Sequence, residues 1–177
     1  MPEPSPNIVL TGFMGTGKST VGRLLARRLG WPFVDTDELI ESRHGSIPEI
    51  FAEHGEARFR ELEREIAQAL AARHGTVVAT GGRLLLDAAN EAALGASGVI
   101  VCLAASTEEL VARLAGEADR RPLLQGDDPS ARIRDLLAER ASGYGRFPQV
   151  VTDGRSPEAV VDAVLALVEA RTGPLAP

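Results

Sequence analysis

Between an apolar run at residues 7–10 (NIVL) and a helical pattern opening at Ser19 lies the segment TGFMGTGKST, Thr11 to Thr20. Its Gly12, Gly17, Lys18 and Ser19 fit the spacing G-x-x-x-x-G-K-[ST]. A strand before and a helix after are the setting that spacing requires. The glycines permit a tight turn that aims backbone N–H groups inward, so Gly15, Thr16, Gly17, Lys18, Ser19 and Thr20 become candidate contacts for a chain of phosphates. The helix that follows adds the positive end of its dipole. Lys18 carries a compact charge on a long stem that reaches the outer phosphates, a task for which arginine's flat fork is ill suited. It is the only lysine in the chain; the remainder of the 19 Lys and Arg residues are arginines. Ser19 offers a hydroxyl to Mg²⁺.

This loop points to a nucleoside triphosphate and leaves open a switch GTPase, a motor or a small-molecule kinase. No guanine-reading N-K-x-D motif follows on a later strand, and 177 residues are short for a motor. Small kinases remain, and for these a phosphate acceptor site must be found.

Short β-type runs at 7–10, 32–35, 76–80, 98–103 and 149–152 alternate with helical patterns at 19–29, 38–44, 47–54, 56–74, 88–94, 107–115, 130–142 and 157–171. Apolar strands alternating with helices predict a mainly parallel sheet covered on both faces. Ser46 (SIPE) and Ser106 (STEE) read as capping boxes, and Ser156 precedes a Pro at the first helical position. His44, His54 and His74 each precede a glycine and read as helix stops rather than as a metal site. Residues 1–177 are expected to form one domain, with a core at 7–171, a weakly patterned loop at about 116–129 acting as a lid, and a disordered tail at 172–177.

A net charge of −6 and a pI near 5.1 disfavour non-specific nucleic-acid binding. Cys102 is the only cysteine and sits in the apolar run VIVCLAA, which predicts a buried structural thiol. The start MPEPSPN lacks the features of a signal peptide, and no apolar run reaches membrane-spanning length. A cytoplasmic location without a membrane partner is the expectation.

FVDTDELI places Asp35 and Asp37 at the end of the second strand. There one carboxylate could serve Mg²⁺ and the other a hydroxyl nucleophile, although Asp37 could also be a helix N-cap. Arg58, Arg60 and Arg64 lie in one charged helical run whose plainest reading is a solvated face. Arg121 and Arg140 lie in separate segments, which suits them better to gripping a phosphate or carboxylate. Gly81 and Gly82 end the third strand, where backbone can come close to a ligand.

GFMGTGKST, DTD, Phe59–Arg60, Gly81–Gly82, RPLL from Arg121 and Arg140 in ER together resemble the shikimate kinases, over nearly the whole length from Asn7 to about Arg171. The resemblance implies a P-loop α/β architecture like that of the nucleoside monophosphate kinases, three-layered with a five-stranded parallel sheet. It also implies transfer of the γ-phosphoryl of ATP to the 3-hydroxyl of shikimate by a monomer. By position it gives Asp37 the acceptor hydroxyl, Asp35 the neighbourhood of Mg²⁺, Arg60 and Arg140 the acceptor carboxylate and Gly82 a backbone contact. Arg121 becomes a lid arginine over the phosphates, and Arg113 stacks on adenine near the loop 152–157. The family pattern usually has a third glycine where this chain has Arg83. That side chain either points away, the plainer expectation, or adds a charge beside the acceptor. Ser142–Gly143 also departs from the usual stretch. The rival readings are a kinase for another polyhydroxy acid, such as gluconate or quinate, and a non-catalytic metabolite-binding domain.

Overall fold

The computed structural model describes residues 5–115, 117 and 121–175. Met1–Pro4, Ala176 and Pro177 lie outside the described residues, and so do positions 116 and 118–120 of the expected lid.

Five strands, β1 (Asn7–Thr11), β2 (Phe33–Asp35), β3 (Val77–Ala79), β4 (Gly98–Ala104) and β5 (Gln149–Val151), form one sheet in the order β2-β3-β1-β4-β5. Every pairing is parallel, with Val9 opposite Val78 on one side and Ile100 on the other. The helices are α1 (Lys18–Leu29), α2 (Thr36–His44), α3 (Ile47–Ala71), α4 (Ala88–Ser97), α5 (Thr107–Leu114), α6 (Pro129–Tyr144) and α7 (Pro157–Thr172).

Alternation along the strands makes the three layers. Ile8, Leu10, Val77, Val101 and Leu103 turn to one face and pack on Val21 and Leu25 of α1 and Val160, Val164 and Val168 of α7. Val9, Val78, Ile100 and Cys102 turn to the other, against Leu62, Ile66 and Leu70 of α3, Leu94 of α4 and Ile133 and Leu136 of α6. Strands buried on both faces need the continuous apolar runs seen in the sequence. Cys102 is buried, as expected, and burial pushes its thiol up to about 11, which keeps it protonated. No described helix is long and apolar enough to cross a membrane.

The helix boundaries differ from expectation in instructive places. His44 ends α2 with Gly45 as its cap, as a helix stop should. His54 is likewise the last residue before a break: Gly55 (φ 78°) is non-helical and divides α3 into two helical halves, as expected, and the apolar face of the second half packs on the sheet. His74 lies beyond the end of α3 at Ala71, in the turn where the Gly75 N–H donates to the Ser5 carbonyl. The box at Ser46 is complete, with reciprocal bonds to Glu49. The one at Ser106 is half made: Ser106 Oγ accepts from the Glu109 N–H, but Ser106 N–H donates to Asp153, and Glu109 is held by Arg113. That substitution ties α5 to the loop after β5.

Candidate active site

The carboxyl ends of β1, β2 and β3 converge on a cavity of about 610 Å³. In such sheets this is where ligands bind.

The loop after β1 is shaped by contacts that exclude side chains. Gly12 has φ 134°, and a Cβ there would lie 2.2 Å from the Leu103 carbonyl oxygen on β4. Thr16 Oγ1 donates to Phe13 O at 2.8 Å and closes the turn, and Gly17 caps α1 in the left-handed region. Lys18 folds back over its own loop, with Nζ donating to Gly12 O and Phe13 O at 2.9 Å each. Burial pushes its ammonium down to about 8 against the pull of Asp37 and Asp35, while Arg121 pushes the same way as burial.

Asp35, not Asp37, caps α2. Its Oδ1 accepts from the N–H groups of Asp37 (3.0 Å) and Glu38 (3.3 Å), so the helix opens at Thr36. Its Oδ2 accepts the Ser19 hydroxyl at 2.5 Å. Asp37 is thereby released from backbone duty. Its Oδ1 is buried and has no hydrogen-bond partner among the described residues. Burial, then the neighbouring Asp35, pushes its carboxyl up to about 6, with Lys18 opposing. Gly81 makes room for it: a Cβ at Gly81 would sit 2.6 Å from Asp37 Oδ1. The Gly81 N–H is fixed by Thr36 Oγ1 at 2.9 Å. The Gly82 carbonyl accepts from the Tyr144 hydroxyl, and a Cβ at Gly82 would come within 3.4 Å of Arg140 Nη1.

The arginines separate into two groups. Arg58 pairs with Glu61 and Glu65, and Arg64 with Asp87, on the exposed face the sequence predicts. Arg60 instead lines the cavity. Its Nη1 donates to buried Glu63 at 2.6 Å, and its Nε and Nη2 donate to Glu56 Oε1 at 3.2 and 2.9 Å. Arg140 is 4% exposed and its guanidinium lies 5.6 Å from the Phe13 ring centroid. Its Nε is buried without a partner, and it makes no ion pair among the described residues. Arg121 lines the cavity with its Nε on Glu117 at 2.8 Å.

Of the expected site residues, Gly15, Lys18, Ser19, Asp35, Asp37, Arg60, Gly82, Arg121 and Arg140 line this one cavity. Thr16, Gly17, Thr20 and Arg113 do not. Thr20 is exposed in the first turn of α1. Arg113 joins the phosphate-loop side to the loop after β5, donating to Gly15 O and Thr152 Oγ1 at 3.1 Å each. Arg83 does not point away: it lines the cavity rim and reaches Glu56 Oε1 at 3.3 Å. Glu56, Glu63 and Tyr144 are parts the sequence reading missed. The i, i+4 and i, i+3 spacing of Glu56 and Glu63 around Arg60 was the available signal for the first two.

The donor set also fits Mg²⁺. Ser19 and Asp35 offer hard oxygens side by side, and no group of three or more acidic, Cys or His side chains among the described residues forms a cage of its own. Mg²⁺ characteristically takes one or two protein oxygens and fills its shell with phosphate oxygens and water.

The family model described as shikimate kinase matches residues 14–169. A shikimate kinase of Geobacter sulfurreducens is 45% identical over 170 residues, covering 95% of this chain and 93% of that one. The solved shikimate kinase from Acinetobacter baumannii in complex with shikimate superposes with a TM-score of 0.87 at 37% identity, covering 94% of each chain. A gluconokinase from Sinorhizobium meliloti, at 22% identity, TM-score 0.60 and coverage of 96% and 97%, shares the fold alone. Sequence, fold and the meeting of these residues at one sheet edge agree, and the chain belongs to the shikimate kinase family.

Proposed function

We propose that this protein phosphorylates the 3-hydroxyl of shikimate with ATP, giving shikimate 3-phosphate and ADP on the route to chorismate and the aromatic amino acids. The observation that carries the reading is that Arg140 and Asp37, whose Nε and Oδ1 are buried and unpaired among the described residues, line one cavity with Lys18. Buried charges persist where a ligand completes them. A hydroxylated carboxylic acid presents both complements, an anion for Arg140 and Arg60 and a hydroxyl for Asp37.

In this reading Arg60 and Arg140 grip the acceptor carboxylate, and the Gly82 backbone lies beside it. Asp37, ionised above about pH 6, orients the hydroxyl and takes its proton as the oxygen attacks the γ-phosphorus. Lys18 and the loop N–H groups of Gly15, Thr16, Gly17, Ser19 and Thr20 hold the phosphates and stabilise charge on the transferring group. Arg121, carried by a lid at about 116–129, closes over them and excludes water. Arg113 and the loop after β5 form the adenine side. Ser19 and Asp35 would hold Mg²⁺, which would supply charge neutralisation for the phosphates. The protein acts as a single-domain cytoplasmic monomer, with no nucleic-acid or membrane partner.

The test is ADP release from MgATP with shikimate, quinate, gluconate or no acceptor. Turnover with shikimate far above the other three is expected. ATP binding without shikimate turnover would reject the assignment and leave only the nucleotide site.

A further inference from the structure

One feature of the acceptor side is not explained by gripping a carboxylate. The edge of Arg60 that presents Nε and Nη2 in parallel, the edge a carboxylate engages best, is already taken by Glu56 Oε1 at 3.2 and 2.9 Å. Glu63 secures the opposite end of the guanidinium from a buried position, so it fixes where Arg60 stands. Glu56 is different. Its side chain is 52% exposed, it directly follows the bend at Gly55, and its bonded oxygen also lies 3.3 Å from Arg83 Nη1. One carboxylate oxygen is therefore shared between two guanidinium groups, one partly buried in the cavity and one on its rim.

We propose that Glu56 is an internal stand-in for the acceptor carboxylate and that Arg83 is the positioning residue that receives it. The arriving acid displaces Glu56 from Arg60, and Glu56 swings onto Arg83 instead of competing for the edge it has left. Arg83 thus tunes acceptor affinity without touching the acceptor. This rests on Arg60 as a carboxylate-binding residue.

The experiment is a double-mutant cycle read by steady-state kinetics with shikimate at saturating MgATP. Arg83→Gln removes the receiver and is expected to raise the shikimate KM about two- to fivefold, the scale of exposed ion pairs, at unchanged kcat and MgATP KM. Glu56→Gln removes the competitor and lowers the shikimate KM about twofold or more. In the Glu56→Gln background, Arg83→Gln leaves KM unchanged, since nothing remains to be received. The same rise in both backgrounds would show Arg83 acting on the acceptor directly and would overturn the proposal. So would a raised KM in Glu56→Gln, no effect of Arg83→Gln alone, or parallel losses in kcat and MgATP binding. Failure of the unmodified enzyme to turn over shikimate would instead reject the function itself, and this inference with it.

Discussion

Binding MgADP at pH 8 should draw a proton onto Lys18. In the nucleotide-free protein this ammonium sits on two carbonyl oxygens inside the loop, and burial brings it to about 8. At pH 8 about half the molecules lack the charge that the phosphates need. Phosphate oxygens set against Nζ restore the proton by the same charge attraction that Asp37 and Asp35 exert on it. If the bound state is fully protonated, uptake is about 0.5 proton at pH 8, about 0.1 at pH 7 and about 0.9 at pH 9. Linkage then makes MgADP affinity fall about tenfold from pH 7 to pH 9. Titration calorimetry at pH 8 in buffers of different ionisation enthalpy reads the uptake directly, as the slope of observed heat against buffer enthalpy. Lys18→Arg, whose guanidinium stays charged throughout, should abolish the slope even where it weakens binding. A zero slope for the unmodified protein together with a flat affinity between pH 7 and 9 would refute the argument.

Asp37 titrates in the opposite sense. A carboxyl raised from 3.8 to about 6 gives stability that is present below pH 3.8 and lost as pH rises through 6, so its ionised form destabilises the neutral protein by about 3 kcal/mol at most. Asp37→Asn should therefore raise Tm at pH 7.5 by several degrees while removing phosphoryl transfer, and an unchanged or lowered Tm would contradict this. In the unmodified enzyme, kcat/KM for shikimate should fall on the acid side with a midpoint near 6; a profile flat to pH 5 would exclude Asp37 as the base. Arg140→Ala should raise the shikimate KM by about ten- to a hundredfold with MgATP binding nearly intact, whereas equal loss of both would mark the residue as structural. Gly81→Ala should lower kcat about tenfold or more in a folded protein, because its Cβ would lie 2.6 Å from Asp37 Oδ1; wild-type turnover would show that Asp37 is free to move.

The strands and the phosphate loop were readable because both are local. All five strand positions agree with expectation to within a residue at either end, since each is an apolar run bounded by turn residues. The sheet order was not readable. The pairing of β1 with both β3 and β4 is decided by which apolar faces α1, α3, α4 and α7 can cover together. Within the site, residue types were legible and partners were not. The sequence suggested Asp37 as a possible cap of α2, and the geometry gives the cap to Asp35 instead. It offered three arginines on one helical run, of which Arg60 alone turns into the cavity. The buried Glu63 that holds Arg60 there is an acid on the inner face, the sort of residue that composition and periodicity count as surface.

The single lysine follows from the same geometry. The chain's other 18 basic residues are all arginines, whose planar fork and permanent charge suit the ion pairs that several of them make. At position 18 both properties are drawbacks. The loop leaves room for a small head that rests on two carbonyl oxygens 2.9 Å away, and Leu103 and Thr16 already crowd the backbone at Gly12. A guanidinium there could not shed its charge when the loop is empty, and its desolvation would weigh on the fold in full. The Lys18 ammonium, pushed down to about 8 by burial, can give up its proton as pH rises through 8, which a guanidinium cannot. Arg140 meets the same problem by other means. Its buried charge is permanent, and it is tolerated against the face of Phe13 and beside the Tyr144 hydroxyl. The cavity thus holds cations of two kinds: Lys18 fits between backbone carbonyls, and Arg140, under the proposed function, matches a planar anion.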